Sequence, residues 1–164
     1  MAVLPIRLFP DPILRRPSEP ADRKNRRTQA LIKDLTETLD KQPAGIGIAA
    51  PQVGEAQRVI VVDVSPRDPS KARQIMLNPR ILRQEGEVLS REGCMSLPDY
   101  TANVKRAERV LIQWVDEKGA RHEKWTEGIE AVCLQHEIDH LNGVLFIDRV
   151  ASLKTDLFPR RKKK

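Results

Sequence analysis

Between Asn25 and Lys41 leucines recur every four residues, at Leu31, Leu35 and Leu39, with Ile32 beside them. This is the stripe of an amphipathic helix that buries one face, and Pro43 is expected to stop it. A second candidate helix, Glu127–Leu141, reads differently. Its Ile129, Ala131, Val132, Cys133, Leu134, Ile138 and Leu141 surround most of the cylinder, and a helix apolar nearly all round belongs inside the protein. Thr126 is its expected N-cap, Glu127 and Glu130 supply acid to the first turn, and Asn142-Gly143 forms its C-cap. Between the helices lie short apolar runs of strand length: Val59–Val64, Ile75–Leu77, Ile81–Leu82 and Val88–Leu89, the last three separated by Pro79 and Gly86. Arg109–Val115 and Ala120–Trp125 flank Asp116-Glu117-Lys118-Gly119, a hairpin signature. The first 21 residues are Pro-rich and predict extended chain and turns. Strands followed by a buried helix, without βαβ alternation, predict an α+β fold in which antiparallel strands pack around that helix.

Composition narrows the function classes. The chain has 164 residues, 29 Lys plus Arg against 23 Asp plus Glu, and 40% hydrophobic residues, enough for one domain with a real core. The net charge of +6 invites a nucleic-acid reading. Five of those cations, however, are Arg160 to Lys164, leaving 24 against 23 in the body. Residues 1–158 are therefore expected to form a single domain of near-neutral charge, and 159–164 a basic, disordered tail. No run approaches the ~20 apolar residues of a membrane span, and Pro5, Pro10 and Pro12 break any secretory h-region. With two cysteines and no signal, a cytoplasmic, reducing setting is the expectation. Neither a membrane nor a stable nucleic-acid complex is expected as a partner.

The sharpest chemistry is His136-Glu137-Ile138-Asp139-His140. Residues four apart on a helix share a face, so both imidazoles can reach one metal ion, with Glu137 bordering the same site. A pair of ordinary hydrogen-bonded histidines is the plainer reading of a lone H-x3-H. Burying two histidines and a glutamate in an apolar helix without a shared partner would cost several kcal/mol, which favours the metal. A third ligand must come from a cysteine. Cys133 shares the helix with both histidines, and three donors along one rod spread over ~10 Å cannot surround an ion. Cys94, in the non-helical Glu92-Gly93-Cys94-Met95-Ser96, can approach from another direction, which leaves Cys133 as a core or pocket-wall thiol. Cys, His and His leave one position open, the mark of a catalytic site. Such an ion activates a water whose proton Glu137 accepts, and Gln52 and the backbone N–H beside Cys94 are placed to offer donors to a developing oxyanion.

Gly45-Ile46-Gly47-Ile48-Ala49-Ala50-Pro51-Gln52, Glu92-Gly93-Cys94-Met95-Ser96 and His136-Glu137-Ile138-Asp139-His140 together resemble, in order, the three signature motifs of peptide deformylases. Met95 and Ile48 stand where Leu is commoner. The resemblance spans essentially the whole chain. It implies a metal-dependent hydrolase that removes the N-formyl group from the formyl-methionine of nascent polypeptides and releases formate. It further implies Cys94, His136 and His140 as ligands of one divalent ion, Fe²⁺ in the family, with Zn²⁺, Ni²⁺ or Co²⁺ as substitutes. Glu137 becomes the general acid/base, and Gln52 and the Met95 N–H stabilise the oxyanion. Ile46, Gly47 and Gly93 border the substrate backbone, while Ile129, Val132 and Cys133 line the methionine pocket. Work on emerging chains also implies transient ribosome contact through the basic tail.

Two other readings compete. A zinc endopeptidase of the HExxH type explains the helix motif and leaves the other two motifs idle. A nucleic-acid-binding module explains the tail and leaves the buried histidines idle. Asp139 is expected either to support the site from behind its ligands or to be ion-paired; the sequence does not fix its partner, and Arg106 is the one candidate named. His122 is expected at a surface or edge, and Trp114 and Trp125 in packing.

Overall fold

A computed structural model describes residues 2–42 and 45–160. Pro43, the expected helix stop, and residues 161–164 of the basic tail lie outside them. The elements run in chain order as α1 (Arg26–Asp40), β1 (Gly47–Ala49), β2 (Val59–Val62), β3 (Gln74–Glu85), β4 (Val88–Cys94), β5 (Leu97–Arg106), β6 (Arg109–Val115), β7 (Arg121–Glu127), α2 (Gly128–Leu141) and β8 (Leu157–Pro159). Single 3-10 turns follow Asp11, Ala49 and Leu145. Two antiparallel sheets result, one ordered β1-β2-β3-β6-β7 and one ordered β4-β5-β8. The fold is α+β with two helices.

The four residues of β2 are all buried because the strand is covered on both faces. Alternate side chains of a strand point to opposite faces. Val59 and Val61 accordingly pack with Leu31, Leu35 and Leu39 of α1, while Ile60 and Val62 pack with Leu134, Ile138 and Leu141 of α2. β1 divides in the same way, Ile48 toward α1 and Ala49 toward α2. A third cluster joins Leu14, Cys94, Leu97, Val104 and Phe146 at the smaller sheet. Each such fully buried aliphatic side chain contributes roughly 1.5–3 kcal/mol.

Both helices match their predicted spans to within a residue, but the start of α2 does not. Thr126 is no cap: β7 runs through Glu127, and Gly128, at φ 66°, turns the chain straight into the helix. That left-handed conformation is the reason a glycine stands there. The Thr126 hydroxyl instead donates to Glu130 Oε1 at 2.7 Å. At the other end the Gly143 N–H reaches His140 O at 3.2 Å and the Val144 N–H reaches Asp139 O at 2.9 Å, the paired bonds of a Schellman motif around the predicted Asn142-Gly143 cap.

Three other expectations change. Pro79 does not divide a strand: β3 runs unbroken from Gln74 to Glu85, and the register shift between Leu77 and Arg80 absorbs the proline. Asn78, at φ 51° in that shift, donates through Nδ2 to Ala21 O and accepts the Ala21 N–H at Oδ1, at 2.9 and 2.8 Å, tying the N-terminal segment to the sheet. β5, ten residues long, was not expected. Finally, the first two residues of the segment expected as tail are tied to the smaller sheet. Pro159 pairs with Tyr100, and the Arg160 N–H donates to Asp99 O at 2.7 Å, because β8 completes the smaller sheet.

Candidate active site

Two separate elements, β4 and α2, supply the three predicted donors. Helical spacing stacks His136 and His140 one turn apart, ring centroids 5.1 Å apart and edge to face. The end of β4 brings Cys94 against them, its Sγ 3.4 Å from His140 Nε2. One donor atom from each of Cys94, His136 and His140 lies within 4.8 Å of the others. Cys133 is not among them and donates to Ile46 O at 3.5 Å. Burial raises its pKa well above the ordinary thiol value, with the negative charge of Glu137 adding to the effect.

The histidine orientations follow from their partners. A carboxylate only accepts, so the 2.9 Å contact between His136 Nδ1 and Glu92 Oε1 places the ring proton on Nδ1 and leaves the Nε2 lone pair free. Arg106 grips Glu92 through Nε and Nη2 at 2.9 and 2.8 Å, and its Nη1 reaches Asp139 Oδ2 at 2.6 Å. Arg149 adds two bonds to Asp139, at 2.6 and 2.9 Å. Asp139 therefore pairs with Arg106, the candidate named for it, and with a second arginine. Burial alone would raise Glu92, but the hydrogen bonds from Arg106 and His136 outweigh it and hold the carboxyl down at about 2.

The donor set fits a divalent cation. Burial, with the neighbouring His136 adding to it, pushes His140 well below its usual pKa, so its ring stays neutral, the form an imidazole needs in order to bind a metal. Burial also opposes charge on His136, yet its hydrogen bonds to Cys94 and Glu92 prevail and raise it; the cluster favours positive charge at this point. His140 Nδ1 and Glu137 Oε1 are buried and have no hydrogen-bond partner among the described residues. A thiolate with two imidazoles suits Zn²⁺ and Fe²⁺ alike.

A cavity of about 730 Å³ opens onto the cluster. Gln52, Met95, Cys94, His136, Glu137, Ile46, Gly47, Gly93, Ile129, Val132 and Cys133 all line it. His140 sits behind this wall, 1% exposed. Gly47 is a close-approach position, since a Cβ there would stand 2.6 Å from Glu137 Oε2 and 2.8 Å from Cys133 Sγ. Burial pushes the Glu137 carboxyl up to about 7. Gln52 is fixed by the Ala49 N–H, which donates to Oε1 at 3.0 Å, so Nε2 turns toward Cys94 Sγ at 3.5 Å and Ser96 Oγ at 3.2 Å. The N-terminal segment braces this region, with the Arg7 N–H on Gln52 O and the Phe9 N–H on Ser96 O.

Several members of the site escaped the sequence. Glu92 and Ser96 flank Cys94 in its motif but carried no assigned role, and Arg149 was unmarked. The hint for Glu92 was an acidic residue two positions from the thiol with no local partner.

A fold of two antiparallel sheets with a Cys-His-His cluster and a glutamate in a shared cavity defines a metallohydrolase class of site. Comparison with known proteins narrows the class: the polypeptide deformylase family profile matches residues 3–156. A peptide deformylase of Thermodesulfovibrio yellowstonii is 45% identical over 161 residues, covering 98% of this chain and 97% of its own. Among solved structures, a peptide deformylase from Legionella pneumophila aligns with a TM-score of 0.84 at 38% identity, over 93% of this chain and 88% of that one. A Met-Ala-Ser-bound class I type b peptide deformylase from Acinetobacter baumannii aligns with a TM-score of 0.83 at 35% identity, over 90% and 98%. This chain belongs to the polypeptide deformylase family, whose members are metal-dependent hydrolases.

Proposed function

We propose that the protein hydrolyses the N-formyl group of formyl-methionyl peptides, releasing formate and a free methionyl α-amine. The observation that carries this reading is the convergence of three motifs from separate elements on one cavity, with Cys94, His136 and His140 clustered and Glu137 facing the same space. Cys94, His136 and His140 hold one divalent ion, ferrous iron by analogy with the family. When bound, it supplies Lewis acidity, polarising a carbonyl oxygen and lowering the pKa of water. Glu137 accepts the proton of the attacking water and returns it to the departing amine. Gln52 Nε2, locked by Ala49, and the Met95 N–H donate to the formyl oxygen as its charge grows. Ile129, Val132 and Cys133 supply an apolar wall for the methionine side chain, and Gly47 lets the substrate backbone approach Glu137. The burial of α2 between sheet and cleft is what keeps these groups rigid. The endopeptidase reading is not favoured, because it gives no task to Gln52 or to the Glu92–Ser96 segment.

The test is formate release from formyl-Met-Ala-Ser by protein reconstituted anaerobically with Fe²⁺ or Ni²⁺. Turnover is expected, and its absence in both forms removes the reading. Glu137→Ala should keep its metal and lose activity by about 10²- to 10⁴-fold. Cys94→Ala should lose the metal itself, measured by elemental analysis; full metal content in that variant would mean another group is the third ligand.

A further inference from the structure

The mouth of the cavity carries an uncompensated positive charge. Arg67, Arg91 and Arg160 all line it, and among the described residues none of them pairs with a carboxylate. The two carboxylates on the same wall are already committed. Glu92 is held by Arg106 and His136, and Glu137 is buried beside the reacting groups.

Two of these arginines lie together on the β4 wall. Residues 91 and 93 of β4 share a face, but Gly93 has no side chain of its own. Arg160 fills the place: its Nη2 lies where a Cβ on Gly93 would be, and its backbone is tied to Asp99 O at 2.7 Å. The Arg91 guanidinium lies 3.9 Å over the Phe158 ring, and its Nε donates to Thr101 Oγ1 at 3.1 Å. Strands β5 and β8 thus position both guanidinium groups on the β4 wall, within three residues of Cys94. Held this way, Arg91 loses little side-chain entropy on meeting an anion, and the planar fork of both arginines suits a carboxylate. An extended peptide rises about 3.3 Å per residue, so a chain reacting at Cys94 and running along β4 passes both cations within its first few residues.

We propose that Arg160 and Arg91 form a carboxylate-recognition subsite for the part of the substrate that follows methionine, biasing the enzyme toward formyl-methionyl chains with a nearby carboxylate. This rests on the deformylase reading. The carboxylate comes from an Asp or Glu side chain or, in a short peptide, from the chain terminus; amidated and free-acid substrates separate the two.

The experiment compares kcat/KM of the metal-loaded protein on formyl-Met-Ala-Glu-amide, formyl-Met-Ala-Gln-amide and formyl-Met-Ala-Lys-amide, and on formyl-Met-Ala as acid and amide. The Glu peptide should exceed the Lys peptide by about five- to tenfold, through KM, and about 0.5 M salt should shrink the ratio. Arg160→Gln and Arg91→Gln should each lower the ratio, and together bring it near one; a ratio cancels any loss of turnover common to both peptides. The same arginine dependence seen only between free acid and amide assigns the subsite to chain termini. Equal kcat/KM across all charges, or a charge preference unmoved in the double variant, overturns the proposal. No turnover of the neutral Gln peptide by the parent protein is instead a failure of the deformylase reading. Calorimetric binding of Met-Ala-Glu-amide against Met-Ala-Lys-amide then still reads the subsite without the reaction.

Discussion

Helix α1 turns Leu31, Ile32, Leu35 and Leu39 to one face of the β1–β2 pair and leaves its other side in solvent. Helix α2 packs on the opposite face of the same strands and is nearly as long, yet its buried positions include Glu130, Gln135, Glu137, Asp139 and His140. Apolar area fastens the first, and the attachment is non-directional. The second has apolar area as well, through Leu134, Ile138 and Leu141, and is fastened in addition by individual bonds drawn from other elements. Glu130 takes the Thr126 hydroxyl, Gln135 spans the N–H and C=O of Ala107, His136 takes Glu92, and Asp139 takes two arginines. A helix that must hold polar chemistry in a dry interior needs a partner for every polar atom that is not reactive. On this helix Glu137 Oε1 and His140 Nδ1 have no hydrogen-bond partner among the described residues.

The contrast breaks hardest at Arg106. Replacing it by alanine leaves Glu92 and Asp139 buried beside each other's charge, though Arg149 still reaches Asp139. The expected loss is about 3–5 kcal/mol, read by urea unfolding in the presence of chelator so that metal binding adds nothing. A loss below about 1 kcal/mol would mean the network is wetter than its 2% exposed arginine side chain implies. The matching cut in α1 is Leu35→Ala. Leu35 is 0% exposed, and truncation should cost about 2–5 kcal/mol as transfer and cavity terms together. Activity per folded molecule should stay unchanged, because Leu35 does not line the cavity. An activity loss exceeding the unfolded fraction would show that α1 communicates with the site.

The same contrast governs what could be read in advance. Helix α1 is legible from leucine spacing because period and burial coincide. The existence of α2 was legible from its apolar residues, and the placement of both histidines one turn apart from their spacing. Its supports were not, because they come from strands with weak patterns. β5 buries Ala102, Val104 and Arg106 in alternation, but a strand whose inward positions include alanine and arginine gives little period-two signal. Pro79 reads as a break, and only the paired structure reveals the register shift that accommodates it. That Cys94 and not Cys133 joins the two histidines was separable by rod geometry alone, whereas the cleft position of Arg160 depends on β8 folding back beside β5, a long-range pairing that no local pattern encodes.

The smallest expected difference lies at the helix starts. The Asn25 side chain accepts the Arg27 N–H at 2.8 Å, satisfying a donor that α1 otherwise leaves open to solvent, so Asn25→Ala should cost about 1 kcal/mol. Glu127 holds the equivalent position in α2 and makes no capping bond. Its contact with Arg109 is a surface pair at 3.6 Å between half-exposed and exposed groups, worth little. Glu127→Ala should therefore stay within about 0.5 kcal/mol of the parent in the same urea titration. The start of α2 is instead fixed by the left-handed Gly128 and by Glu130 locked between Thr126 and Lys124. Equal costs for the two alanines would mean that α2 relies on its first turn as α1 does, and that the bonds along its length are not what hold it.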